Sequence, residues 1–400
     1  MKIAFATLGC KLNFAETSTY RRGFEAAGWE VVPWTQQADV YLVNSCAVTA
    51  TAEKKSRNLI RRAHSLAPEA RILVTGCYAQ LRRTELESLP GVWRVYGADE
   101  KHKILDDNAK GTVIFGAYSS GERTRSFLKV QDGCDNFCAY CTVPFARGRS
   151  RSLPVCEVVR SAKEIAAKGI REIVLTGVNT GDFGRGTGES FLDLLKALDA
   201  VPGIDRYRIS SIEPNLITEE IVDWIASGTK FQPHFHIPLQ SGSDTLLKKV
   251  GRRYDTALFA SRIEYIRSKM GPSVFFGIDV IVGLPGETEE LFQETVTFLR
   301  EVVKPAFIHV FPYSRRPGTR AAEWPDQVPE SVKKERVDVL EALCAQLHDE
   351  FVRSCKGQMA TVLWESSRKD GMMGGYTGNY IRVERPWDAA RVNTLEEVVL

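Results

Sequence analysis

Long apolar runs are missing from this sequence. The longest, such as Ile173–Gly177 and Val274–Val282, stop far short of the roughly twenty residues a spanning helix needs, so no membrane contact is expected. The start, Met1-Lys2-Ile3-Ala4-Phe5, alternates like a strand and carries neither a secretory apolar core nor an Arg/Ser-rich transit pattern, which sets a cytoplasmic expectation. Charge of one sign is scarce too: 53 Lys and Arg against 50 Asp and Glu leave a net +3, too little by itself to point to nucleic acid. Cysteine is sparse and odd in number, nine in 400 residues, which excludes a disulfide scaffold and makes spacing matter more than count. No repeat of solenoid length and no low-complexity tract occurs.

What is present is a globular composition, 44% hydrophobic and 26% charged, in a chain long enough for two or three domains with real cores. From Lys2 to Gly116 short apolar runs (Ile3–Leu8, Glu30–Trp34, Asp39–Val43, Arg71–Thr75) alternate with the helical stretches Ala15–Ala27 and Thr51–Leu66. That alternation predicts a parallel α/β sheet domain over 1–116. A polar segment, Ala117–Ser126, has the make-up of a linker. Over 127–355, strands near Glu172–Thr176, Tyr207–Ser211, His234–Ile237, Val274–Val282 and Ala306–Phe311 alternate with helices, predicting a partial or complete (β/α) barrel whose active face lies at the strand C-termini. After a helix over Ser331–Cys355, residues 356–400 read as a small all-β barrel, with strands Gln358–Trp364, Tyr380–Val383 and Thr394–Leu400 and a glycine-rich turn at Gly371–Gly375.

The strongest chemical signal is Cys134-x3-Cys138-x2-Cys141. Three thiolates this close in a loop after a strand can hold three corners of a cubic iron–sulfur cluster. A structural zinc site wants four protein ligands, and here a fourth must be recruited from Cys156 or a distant histidine. Cys10, Cys46 and Cys77 form a second trio, each where a strand ends; the C-terminal ends of parallel strands form a ligand crevice. Each of them alone also fits a small core residue. Cys156, Cys344 and Cys355 lack such placement and read as structural.

The loop around Cys134, with Tyr140 at the aromatic position of C-x3-C-x-aromatic-C, resembles the signature of the radical S-adenosylmethionine enzymes. The resemblance implies a [4Fe–4S] cluster on Cys134, Cys138 and Cys141 whose open iron takes the amino and carboxylate groups of S-adenosylmethionine, with Tyr140 against its adenine, and radical cleavage of the C–S bond. It extends to the methylthiotransferases through Asp132-Gly-Cys134, Arg147-Gly-Arg-Ser-Arg-Ser152, Thr176-Gly-Val-Asn179, Ser211-Ile-Glu-Pro214, Pro238-Leu-Gln-Ser-Gly-Ser243, Asp279–Thr288 and Phe311-Pro-Tyr-Ser314. By this resemblance Cys10, Cys46 and Cys77 carry an auxiliary [4Fe–4S] cluster that binds or supplies the transferred sulfur. The C-terminal domain, through Gly375-Tyr-Thr-Gly-Asn-Tyr380, is similar to the RNA-binding TRAM fold.

Thr7-Leu-Gly-Cys-Lys-Leu-Asn13 and Asn44-Ser-Cys-Ala-Val-Thr49 look most like the branch acting on N6-threonylcarbamoyladenosine. The reaction so implied adds a methylthio group to C2 of that base at position 37, in the anticodon loop of tRNA. A low-potential donor such as flavodoxin or ferredoxin would supply electrons. Methylthiolation of N6-isopentenyladenosine or of a ribosomal-protein aspartate, and a non-catalytic zinc-containing RNA-binding protein, are the alternatives. Both clusters must then face one cavity, which predicts that the N-terminal sheet edge docks on the open barrel.

Gly177, Asn179, Glu213, Gln240 and Asp279, at or just after strands, join Tyr140 as candidate cofactor contacts. Asp279 lies in an apolar run and needs a partner, either the cofactor or a structural cation. Gln240 and Ser241 read either as pocket lining or as a helix cap, and His236 as a satisfied core histidine. Gly184–Gly188 lacks the Gly-Lys-Ser/Thr of a phosphate loop and reads as a loop. Trp364, Tyr376 and Tyr380 fit base stacking or a β core equally. The basic clusters, among them Arg147/Arg149/Arg151, Lys248–Arg253 and Arg315–Arg320, read as solvated faces or phosphate contacts.

Overall fold

A computed structural model describes residues 1–109, 116–121 and 123–400. The N-terminal strands are β1 (Lys2–Thr7), β2 (Glu30–Val31), β3 (Val40–Ser45), β4 (Arg71–Gly76) and β5 (Val92–Val95). They form one parallel sheet in the order β2-β1-β3-β4-β5. β3 is buried at every position, as a parallel strand covered on both faces must be. Its side chains alternate between two cores: Tyr41 and Val43 pack with Ile60 and Ile72 on one face, Val40 and Leu42 with Tyr20 and Phe24 on the other. Helix Ala50–Leu66 begins where Thr49 accepts a hydrogen bond from the Ala52 amide (3.1 Å), a cap worth about 1 kcal/mol. β1, β3 and β4 are neighbours, so the three cysteine-bearing strand ends lie on one edge.

The central strands are β6 (Ser126–Lys129), the short pair β7 (Gln131–Asp132) and β8 (Arg151–Ser152), then β9 (Glu172–Thr176), β10 (Arg206–Ile209), β11 (His234–Gln240), β12 (Phe275–Val282) and β13 (Phe307–Pro312). Two parallel three-stranded sheets, β10-β9-β6 and β11-β12-β13, meet through the bridges Tyr207–Phe231 and Ser211–His236. The result is an open barrel whose apolar shell (Leu175, Leu194, Tyr207, Phe235, Ile278) is continuous. Its β6 edge is covered by helix Lys11–Ala26 of the N-terminal sheet, with Phe14 edge-on to Phe127 at 5.7 Å. The segment read as a linker is tied down: the Tyr118 carbonyl accepts from Arg22 (2.6 Å), and the Ser120 amide donates to Ser18 (3.1 Å).

Helix Glu330–Ser354 leads to the C-terminal strands β14 (Met359–Lys369), β15 (Met372–Thr377), β16 (Arg382–Pro386) and β17 (Leu395–Val399), a curled antiparallel sheet ordered β16-β15-β14-β17. The expected glycine-rich turn at Gly371–Gly375 is mostly strand β15. Gly375 is there because the strand lies close on its neighbour: a Cβ at that position would meet the Trp364 ring at 2.8 Å. No helix among the described residues is long and apolar enough to cross a membrane.

Candidate active site

The Cys134–Cys141 loop leaves β7 through Gly133, at φ +74°, where a methyl group would be driven into the Arg149 carbonyl. Only glycine suits both demands. The loop is pinned by backbone bonds from Cys134 to Gly148 (3.1 Å) and from Ala139 to Val250 (2.8 Å). Donors converge on its sulfurs: the Asn136 amide on Cys134 and the Val143 amide on Cys141, both at 3.4 Å, and Arg252 Nη1 on Cys138 at 3.2 Å. Burial pushes the Cys141 thiol up to about 12 and raises Cys134, and the neighbouring cysteines add to both shifts. Such thiols ionise only with a positive partner.

The second trio sits at the sheet edge. Cys10 follows β1, Cys46 follows β3, and Cys77 opens the short helix after β4. Gly9 and Gly76 both hold positive φ, and a Cβ on Gly9 would stand 3.0 Å from Cys46 Sγ. Asn13 ties the loops together, donating to the Leu8 carbonyl (2.8 Å) and the Ser45 carbonyl (3.1 Å). Burial pushes Cys46 up to about 11 and raises Cys77, each also pushed up by Cys10.

Both donor sets suit iron–sulfur clusters better than zinc. A tetrahedral zinc with bonds of about 2.3 Å holds its sulfurs about 3.8 Å apart. Each cysteine trio offers three thiol ligands where structural zinc takes four, and the three donor atoms that lie within 4.8 Å of one another among the described residues are those of His236, Asp279 and His309. A cube-shaped cluster spreads its ligands more widely, and N–H donors aimed at sulfur favour the thiolates it requires.

The two trios are joined through Arg147, on the helix Val143–Arg147 that follows Cys141. This helix packs against Cys77–Leu81, as the expected docking of sheet edge on barrel requires. Arg147 is buried and pairs with Asp132 (2.9 Å) and Glu16 (3.3 Å) while donating to Asn13 Oδ1. Lys129 and Lys101 complete the network, each 2.8 Å from Glu16. Burial works to raise Glu16, but the charges of Lys101, Lys129 and Arg147 outweigh it and hold its carboxyl well below the ordinary range. Asp132 is likewise depressed against its burial, by Lys129 and Arg147.

Of the candidate cofactor contacts, Tyr140, Gly177, Asn179 and Glu213 gather around one chain of bonds. Gln131 Oε1 accepts from the Val178 and Asn179 amides (2.9 and 3.0 Å), Asn179 Oδ1 accepts from the Glu213 amide (3.2 Å), and Glu213 pairs with Arg252. Arg252 also lies 3.4 Å from the Tyr140 hydroxyl, and a Cβ on Gly177 would crowd Gln131. Gln240 ends β11 in a left-handed conformation, φ +69°. The preceding Leu239 carbonyl accepts from Tyr254, whose hydroxyl accepts from Arg252. Asp279 bonds His236 Nε2 at 2.7 Å inside the barrel, a histidine where an Arg or Lys was the expected protein partner. Ser241 meets Thr295 and accepts from the Ser243 amide.

Arg147, Arg252 and Arg316 stand in basic clusters that the sequence pattern reads as solvated faces or phosphate contacts, yet their side chains are between 2 and 6% exposed. Arg316 pairs with Glu53 of helix Ala50–Leu66. Trp364 is core, bonded to Glu396 at 2.8 Å, whereas Tyr376 and Tyr380 stack on each other (4.9 Å) at a cavity wall. Cys344 and Cys355 are buried, accepting from the Ile308 amide and from Asn379 respectively.

Comparison with known proteins finds relatives over nearly the whole chain. Residues 2–97 match the profile described as uncharacterized protein family UPF0004, and residues 128–299 match the radical SAM superfamily. The chain is 42% identical to the threonylcarbamoyladenosine tRNA methylthiotransferase MtaB of Bacillus subtilis, over 95% of this chain and 89% of that protein. It is 40% identical to the MtaB of Thermotoga maritima, over 96% and 91% respectively. Among solved structures, the radical S-adenosylmethionine methyltransferase TsrM from Kitasatospora setae, with cobalamin and a [4Fe–4S] cluster bound, superposes with a TM-score of 0.59 at 15% identity, covering 93% of this chain and 80% of its own.

Proposed function

The chain belongs to the MtaB family of threonylcarbamoyladenosine tRNA methylthiotransferases, and from that premise we propose that it adds a methylthio group to C2 of N6-threonylcarbamoyladenosine at position 37 of tRNA. It is a radical S-adenosylmethionine enzyme whose cofactors are two [4Fe–4S] clusters and S-adenosylmethionine. We assign one cluster to Cys134, Cys138 and Cys141 and the other to Cys10, Cys46 and Cys77. Bound there, these groups supply the radical cleavage of S-adenosylmethionine and the sulfur to be transferred.

The chain's own residues position and insulate. Gly133 and the Gly148 and Val250 carbonyls fix the first loop. Arg252 brings positive charge to Cys138 and holds Glu213 beside Asn179, and these two, with Tyr140 and Gly177, are assigned to the cofactor. Gln240 is assigned to the rim of that pocket. Arg147 locks the sulfur-bearing edge of the N-terminal sheet onto the barrel. The domain limits 1–116, 127–355 and 356–400, a cytoplasmic location and a donor of the flavodoxin or ferredoxin class belong to the same proposal.

The observation that carries the reading is the pair of cysteine trios on facing elements, bridged by a buried arginine. Its test is the nucleoside profile of tRNA from cells with and without this protein. Loss of 2-methylthio-N6-threonylcarbamoyladenosine is expected. Loss of the 2-methylthio isopentenyl nucleoside, or of a methylthiolated ribosomal protein instead, overturns the substrate assignment.

A further inference from the structure

A cavity of about 530 Å³ opens where the barrel lumen, the N-terminal helix and the C-terminal sheet meet, within the about 300–1,000 Å³ usual for small-molecule sites. Five cationic side chains line it, Lys11, Arg123, Arg125, Arg208 and Arg382, and among the described residues no carboxylate does. Most of this charge is already engaged. Arg125 pairs with Glu365 (2.8 Å), Arg208 with Glu172 (2.8 Å) and Arg382 with Glu384 (2.8 Å), and Arg123 stacks over Phe14. Lys11 makes no ion pair among the described residues: its ammonium lies 6.0 Å from the Phe127 ring centroid, and the Asp279 carboxylate acts on it only through space. The lumen wall opposite carries His236, bonded to Asp279, with His309 stacked on it at 5.0 Å. These three residues bring donor atoms close together, but the surrounding cations oppose a bare metal ion. A ligand with its own carboxylate suits the cavity better.

The covalent layout of the substrate adds a second constraint. In a purine, C2 and C6 flank N1, so the protein group that reads a substituent on N6 must lie beside the one that serves C2. Lys11 is bonded directly to Cys10 of the auxiliary trio. An isopentenyl group would leave the ammonium facing hydrocarbon, which is costly, whereas a threonylcarbamoyl group brings a carboxylate and a hydroxyl.

Resting on the reading of the chain as a threonylcarbamoyladenosine enzyme, we propose that this cavity seats the threonylcarbamoyl arm of the substrate, with Lys11 paired to its carboxylate and the His236–Asp279 pair facing its hydroxyl. Lys11 is thereby a specificity-determining residue.

The test compares reconstituted enzyme acting on tRNA that carries the free acid with the same tRNA carrying the carboxylate as its methyl ester. Wild-type enzyme is expected to prefer the acid by about tenfold or more in kcat/KM, chiefly through KM, because a charge-assisted hydrogen bond is lost with the ester. In K11Q the preference falls to near unity, and K11R retains it. Equilibrium Kd values for the two anticodon stem-loops, measured without turnover, follow the same pattern. Equal use of acid and ester by wild-type enzyme, or an undiminished preference in K11Q, overturns the proposal. A wild-type enzyme that transfers no methylthio group to either tRNA instead overturns the functional reading beneath it.

Discussion

Replacing Arg147 by methionine should loosen the docking of the N-terminal sheet on the barrel. The substitution keeps the apolar stem and removes the charge between Asp132 (2.9 Å) and Glu16 (3.3 Å), together with the bond to Asn13. Removing one partner from a buried ion pair costs about 3–5 kcal/mol. Here the cost falls at the lower end, about 3 kcal/mol, because Lys129 stays 2.6 Å from Asp132 and 2.8 Å from Glu16. With an unfolding entropy of about 2.1 cal/mol/K per residue, that loss lowers Tm by about 4 °C if the two parts melt together.

The same network sets an acid limit. Glu16 and Asp132 are held below their unfolded values of about 4, so their stabilisation is complete above roughly pH 5 and declines as pH falls through the folded pKa values. Calorimetry of R147M and wild type between pH 7 and about 2 measures both effects, with E16Q and the double variant closing the cycle. The reasoning is refuted if R147M melts with wild type at pH 7, or if the cycle shows no coupling between positions 16 and 147.

Three further outcomes follow from single contacts. G133A, which forces a Cβ into the Arg149 carbonyl at φ +74°, should prevent assembly of the Cys134 cluster while leaving the other, read as half the wild-type iron after anaerobic reconstitution. R252M should leave Glu213 buried without its cation and weaken S-adenosylmethionine binding, seen as a smaller cofactor-induced change in the EPR signal of the reduced cluster. W364A removes a fully buried indole from the C-terminal sheet and should cost that unit about 3–5 kcal/mol; amide exchange would show its strands opening while those of the barrel stay protected.

Much of this architecture was legible in the sequence because its signals are local. β1, β3 and β4 announce themselves as short apolar runs ending in Gly-Cys or Ser-Cys, and parallel pairing brings those ends to one edge. The Cys134 loop is a compact motif entered through a glycine that its backbone turn and the neighbouring carbonyl both require. What stayed hidden depends on distant partners. Arg147 looks like one of several arginines in a polar run until Glu16, 131 residues away, meets it. A trace of this was available, since Glu16 is the one charged residue on the face of its helix that carries Leu12, Ala15, Tyr20 and Phe24. Arg252 carries no comparable sign, because Lys248–Arg253 has the pattern of a solvated turn. Asp279 was rightly read as needing a partner, but His236 sits on the neighbouring strand β11, a pairing that only the β11–β12 register reveals. The glycines of β15 mislead for a simple reason: a close strand crossing and a turn ask for the same residue.

The most direct test of the central claim is Mössbauer spectroscopy of the iron-57-reconstituted chain, alongside variants in which each trio is changed to alanine. Two cubane signals of equal weight, with a different one lost in each variant, are the expected result. A wild-type spectrum with one cubane, or variants that both lose the same signal, would contradict the assignment of a separate cluster to each set of cysteines.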